Sequence, residues 1–389
     1  MGEIDDVLEV LRAYNIEPDA DPTSPMREIG KTSPNETIYA TSLDAVDKDT
    51  LDADESGPDP RMEEWWGMLT QILERSRTVF PWTEFGEAPE PACAWYCPIH
   101  YFGYGWGIYI REQCILSLAL DIATHLDLAA LEALNLSSAQ IQKHLLRAAF
   151  YMLFLHEQFH HKAESLGFRL LVATGTDRYR RYKTEVYRAT YLTPDCLEES
   201  LANAESYLRI KEDRYKLKLS VPFTRAYQKA AVASFELQPA GYREAKNFLT
   251  DAKFKAGQDK FQSAMLDGQY PPTTPTRRWA VAPQMIRSLM NIKADIYVVV
   301  PIGVKPLFTT TLIDPGVTIS TARATKALVN KYGYSIVSGG GNGSHVKLEK
   351  PGVKPITLKG NQSALSPGLL KHVLSHLGDY PLSQAREVL

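Results

Sequence analysis

The stretch that most restricts how this chain can fold runs over residues 139–167. Apolar side chains recur there at intervals of three and four, which predicts one long amphipathic helix. Within it stands His156-Glu157-Gln158-Phe159-His160, the pattern H-E-x-x-H. Positions four apart lie about 40° round a helix and about 6 Å along it, so both imidazoles can reach one metal ion. Glu157 lies about 100° round from His156, beside such an ion rather than on it. From there its carboxylate can take a proton from a water whose pKa the ion lowers towards about 7. Two neutral histidines and a carboxylate, with one position left for water, suit zinc. Two histidines and a glutamate on an otherwise apolar helix are costly to bury without such a partner.

The third ligand has to come from elsewhere. A metzincin continuation needs a glycine and a third histidine, and Ala163 and Leu166 occupy those positions, so that subclass is excluded. Glu164 continues the histidine stripe but lies about 12 Å along the helix from His156, which suits an outer partner or an exposed charge better than a ligand. A better candidate lies in Leu197-Glu198-Glu199-Ser200-Leu201-Ala202-Asn203-Ala204. Thr193-Pro194-Asp195 predicts the start of that helix, with Thr193 as its cap. Glu157-x-x-His160 also fits half of a di-iron carboxylate site, but the chain has no second E-x-x-H to complete one.

H-E-x-x-H followed some 40 residues later by E-x-x-A-N resembles the gluzincin arrangement of ImmA/IrrE-like metallopeptidases. The resemblance spans about residues 140–210. It implies a zinc-dependent enzyme that hydrolyses peptide bonds in a protein substrate, with His156, His160 and Glu199 on Zn2+ and Glu157 as the catalytic base. Ala202 would let two helices approach closely, and Asn203 could orient a ligating histidine. Glu198 stays open as the alternative ligand, because a helix register is easily misjudged by one residue. Tyr179, Tyr182, Tyr187, Tyr191 and Tyr207 are all candidate donors to a developing oxyanion.

The net charge of −3 conceals an uneven distribution. Residues 1–64 hold 18 acidic and 5 basic side chains, and the rest of the chain holds 28 and 38. Residues 1–60 therefore read as an acidic, proline-rich leader, partly unable to offset its ordering entropy. Residues 61–268 read as the zincin-like domain, 269–316 as a connector with a strand near 295–301, and 317–389 as a compact C-terminal module. No apolar run approaches the roughly 18 residues of a membrane span, and the start of the chain is acidic where a signal peptide is basic. Cys93, Cys97, Cys114 and Cys196 make no disulfide framework, so a reduced, cytoplasmic protein is expected. Cys93, Cys97 and His100 have the spacing of a zinc knuckle but lack a second cysteine pair, and read as an unliganded aromatic segment. Residues 106–110 suggest a strand at a cleft edge, open to an added peptide strand.

In the C-terminal module the order is helix, three strands, helix. Lys331-Tyr-Gly333, Gly343-Ser344-His345 and Ser366-Pro-Gly-Leu-Leu-Lys-His-Val-Leu374 are similar to the HicA family of toxin mRNA interferases. That resemblance implies a small double-stranded-RNA-binding-like fold. It also implies a functional histidine at His345, and RNA or an antitoxin-like protein as partner of residues 317–389. Residues 318–389 carry 9 Lys/Arg against 3 Asp/Glu, which suits phosphate contact. His372 and His376 read as helix-face residues. The expected whole is an α+β multidomain protein: a mostly helical zincin-like domain with a small sheet, joined to an α-β-β-β-α module. The alternative is a HicA-like ribonuclease toxin whose zinc domain is regulatory or structural.

Overall fold

The computed structural model describes residues 3–18, 36–47, 60–74, 93–212, 217–272, 294–304, 306–308, 311–313, 319–337, 345–359, 365, 367–378, 380 and 385–389. The chain divides into two compact units, in an α+β multidomain architecture. Among the described residues no helix is long and apolar enough to cross a membrane.

One unit comprises residues 43–96 and 108–294 and is mostly helical. Its axis is the helix Ser138–Thr174, longer at its C-terminal end than the sequence pattern predicts. A capping box starts it: the Ser137 hydroxyl accepts from the Gln140 amide while the Gln140 side chain accepts from the Ser137 amide. Gly175 ends it in a left-handed conformation, φ 68°, donating its N–H to Leu171 O. The extra turns form because Phe168, Leu170 and Leu171 are buried, so packing continues past Gly167. Helices Glu112–Thr124, Leu197–Glu212 and Val221–Phe235 pack along this axis. Ala202 and Ala204, both fully buried, keep the second of these close to it. The indole of Trp65 donates to Leu116 O at 2.9 Å, tying helix Pro60–Leu73 to Glu112–Thr124.

Three expectations are corrected here. Cys93 and Cys114 are joined in a disulfide. The Arg111 amide donates to Cys93 O at 2.9 Å, which sets Cys93 beside the start of helix Glu112–Thr124, where Cys114 lies. Thr193 does not cap the next helix, which begins at Leu197: its hydroxyl donates to Thr190 O and accepts from the Asp195 amide, closing a local turn instead. The strand Gly107–Arg111 is buried along its whole length and offers no open edge to a peptide.

The other unit comprises residues 1–42, 97–107 and 295–389. Strand Glu36–Thr41 pairs antiparallel with Ile296–Pro301 on one side and Thr311–Ile313 on the other. The leader thus contributes a central strand, and helix Glu3–Ala13 buries Val7, Leu8 and Leu11. Its residues 19–35 and 48–59 lie outside the described residues. The C-terminal order is helix Thr321–Tyr332, strands Ser335–Ile336, His345–Lys350 and Val353–Lys359, and helix Pro367–Gly378. The strands are antiparallel in that order. Leu348, Ile356 and Leu358 form its core with Leu328, Val373 and Leu374. The glycine-rich stretch 339–343 lies outside the described residues.

Candidate metal centre

Helix Ser138–Thr174 presents His156 and His160 on one face, one turn apart, and helix Leu197–Glu212 brings Glu199 against them. His156 Nε2 lies 3.3 Å from His160 Nε2 and 3.2 Å from Glu199 Oε2, and His160 Nε2 lies 3.5 Å from that same oxygen. The three atoms form a nearly equilateral triangle. Ligands about 2.0–2.1 Å from a tetrahedral ion sit about 3.3–3.4 Å from one another, so the triangle has the dimensions of one face of such a tetrahedron. Among the described residues this is the group of three His, Cys, Asp or Glu side chains able to hold a metal ion.

The opposite ring nitrogens fix which atoms face inward. His156 Nδ1 is 2.8 Å from Asn203 Oδ1. The Asn203 amide nitrogen donates to Gln238 Oε1 at 2.6 Å and to Tyr242 O at 3.1 Å, so its oxygen faces the imidazole and Nδ1 must be the donor. His160 Nδ1 donates to Glu198 Oε1 at 2.8 Å. With both Nδ1–H groups turned outward, two Nε2 lone pairs and a carboxylate oxygen converge. Glu199 Oε2 is buried with no hydrogen-bond donor of its own. Three acceptors at this distance repel one another unless a cation sits among them, so the donor set fits a metal.

The electrostatics say the same for the metal-free protein. Burial alone would lower the pKa of His160, but Glu199 and Glu198 outweigh it and hold the imidazole up at about 10. A proton occupies the cluster when no metal does, and metal binding must displace it. Burial works against an ionised Glu199, yet His160 and His156 keep its carboxyl well below the usual range. Glu157, buried beside the triad, is pushed up by burial, with the two histidines pulling the other way.

Sequence reasoning missed part of the surroundings. Lys183 is only 3% exposed, and its ammonium donates to Glu198 Oε1 at 2.9 Å. It sits 3.8 Å over the ring of Tyr187, whose hydroxyl donates to Glu199 Oε1. Both come from a π-helical turn, Tyr182–Tyr187, a distortion that often marks functional sites. Tyr242 stacks on His156, with rings 6° from parallel and centroids 5.9 Å apart. The cluster of tyrosines between 179 and 191 was the one signal in the sequence that this segment belongs to the site.

Other expected residues fall elsewhere. Glu164 is buried and accepts from the Tyr96 hydroxyl, which also contacts His161 Nδ1 at 2.9 Å, so it is a packing partner and not an exposed charge. The Tyr207 carbonyl accepts from the Gln228 side chain. Cys196 is buried, and burial with Glu199 pushes its thiol up to about 12, so it remains protonated. His345 opens the middle strand of the C-terminal sheet opposite Lys359, and its side chain lies outside the described residues. The arrangement as a whole is a buried His/His/Glu metal-binding site with a carboxyl beside it, of the kind hydrolytic chemistry uses. Compared with protein-family models, curated proteins and solved structures, the chain matches none of them.

Proposed function

We propose that the helical unit is a zinc-dependent metallopeptidase of the gluzincin kind, hydrolysing peptide bonds in a protein substrate. The observation that carries this reading is the triangle of His156, His160 and Glu199 with Glu157 buried next to it. Bound zinc would supply Lewis acidity, polarising a peptide carbonyl and acidifying water. Glu157 then takes the proton from the attacking water and passes it to the leaving amine. Asn203 and Glu198 keep the two imidazoles turned with Nε2 inward. Of the candidate tyrosines, Tyr187 is engaged with Glu199 Oε1, and Tyr191, its ring centroid 5.5 Å from that of Tyr187, is the one we assign to the oxygen that gains charge.

For residues 317–389 we propose recognition of RNA or of an antitoxin-like protein, in a toxin–antitoxin or defence setting. The helix–three strands–helix order and the excess of basic residues support a HicA-like module there. A ribonuclease role centred on His345 is the second reading. The deciding experiment is digestion of a protein-substrate library by the zinc-loaded chain, beside Glu157→Ala and His345→Ala. Cleavage lost only in Glu157→Ala supports the peptidase. No cleavage by the zinc-loaded wild type, with RNA degradation lost in His345→Ala, overturns it in favour of the ribonuclease.

A further inference from the structure

Glu198 and Glu199 are adjacent, equally buried, and both directed at His160. Glu198 Oε1 meets Nδ1 at 2.8 Å, and Glu199 Oε2 faces Nε2 at 3.5 Å. Nothing in the chemistry of two neighbouring glutamates decides which should meet the metal, so something around them must. We propose that Lys183 makes that assignment: it holds Glu198 on the back of His160 and so leaves Glu199 as the carboxylate that binds the ion. This inference rests on the metal-binding reading of the triad.

The geometry supports it in three ways. Glu198 Oε1 is shared between Lys183 Nζ at 2.9 Å and His160 Nδ1 at 2.8 Å, so two donors on one oxygen fix that carboxylate in place. Both glutamates have an Oε2 that is buried without a donor, and Glu199 differs from Glu198 in what that oxygen faces. Tyr187, the residue beneath the Lys183 ammonium, donates to Glu199 Oε1 and leaves Oε2 facing both Nε2 atoms. Finally, Lys183 and Tyr187 share the π-helical turn, so a single local distortion delivers the partner of each glutamate. The buried ion pair also gives Glu198 a cationic partner other than the metal. Lys183 is a positioning residue here: it acts through Glu198 and does not touch the ion.

The test uses the full chain, Zn2+ affinity by competition with a chromogenic chelator, and the visible spectrum of the Co2+-loaded protein as a readout of coordination geometry. Glu199→Gln should abolish binding, while Glu198→Gln should keep one ion per chain with affinity about 10–100-fold weaker. Lys183→Met should weaken binding by a similar factor and dim the Co2+ bands as the released Glu198 joins the ion. Lys183→Arg, which retains the cation, should stay near wild type, and Lys183→Met/Glu198→Gln should recover the four-coordinate spectrum. Unchanged affinity and spectrum in a folded Lys183→Met protein would overturn the assignment. So would loss of the metal in Glu198→Gln with retention in Glu199→Gln, a comparison that decides the matter even if Lys183→Met does not fold. A wild-type chain that takes up neither ion removes the metal reading itself, a failure distinct from an indifferent Lys183 in a metal-loaded protein.

Discussion

The chain carries two pairs of histidines four residues apart on a helix. His156 and His160 have ring centroids 5.1 Å apart, and His372 and His376, on helix Pro367–Gly378, have theirs 4.3 Å apart. Both pairs lie edge to face. The spacing is the same and the outcome is not. In the first pair each Nδ1 is held by a side-chain acceptor from a second helix, and the Nε2 atoms meet a buried carboxylate. In the second pair His376 Nδ1 lies 3.1 Å from the His372 carbonyl on its own helix, and no acid among the described residues completes a metal-binding group with them. Helical spacing makes a pair of ligands possible, but the neighbouring helix decides whether they become a site.

The sharpest way to break that contrast is to remove ligands from both pairs. His156→Ala should take metal content from about one ion per chain to none in elemental analysis, whereas His372→Ala and His376→Ala should leave it unchanged. Equal losses would show that the second pair also binds. Next in size, Glu157→Ala should retain the metal while the proposed peptide hydrolysis falls by about 10²–10⁴-fold. A parallel loss of metal would make Glu157 a structural residue. Asn203→Ala frees one imidazole and should weaken metal binding by about 10–100-fold without abolishing it.

Smaller effects probe the frame around the ligands. A Cβ at position 167 would come within 2.5 Å of the Tyr179 Cβ. Gly167→Ala should therefore cost about 1–3 kcal/mol and lower the melting temperature, since neither backbone can easily retreat. Among the titratable groups away from the site, His144 stacks on Phe223 and has its pKa lowered to about 4, first by burial and then by Arg147 and Lys143. Its folded-state pKa is below its unfolded value of about 6.5, so its contribution is complete above that pH. It fades as pH falls towards about 4. His144→Phe should flatten stability against pH within that window, as read by denaturant unfolding at a series of pH values.

The sequence revealed the site unevenly. His156, Glu157 and His160 were legible because a helix repeats locally, and a five-residue pattern suffices to bring two imidazoles to one ion. Glu199 was within reach only through resemblance to a known arrangement, because 39 residues separate it from His160 and its neighbour Glu198 reads equally well. Lys183 and Tyr242 were not legible. Each is placed by how a non-regular segment packs on the two ligand helices, and neither bears a local pattern. The same holds for the fold. The long helix was readable from its period, although buried residues past Gly167 carried it further than the pattern indicated. The Cys93–Cys114 bond depends on a strand end meeting a helix, which spacing along the chain does not encode.

The helix that carries the two histidines has 37 residues, a rod about 55 Å long. His156 stands about five turns from one capped end and His160 about four from the other. Helices fray from their termini, and fraying of a turn or so at either end would not reach the ligands. In a hydrogen-exchange experiment the amides of residues 150–165 should therefore be among the last of this helix to exchange, opening only when the whole unit does. The spacing of the two imidazoles is protected by its distance from both ends, so a metal lost on heating should depart with the global transition and not before it.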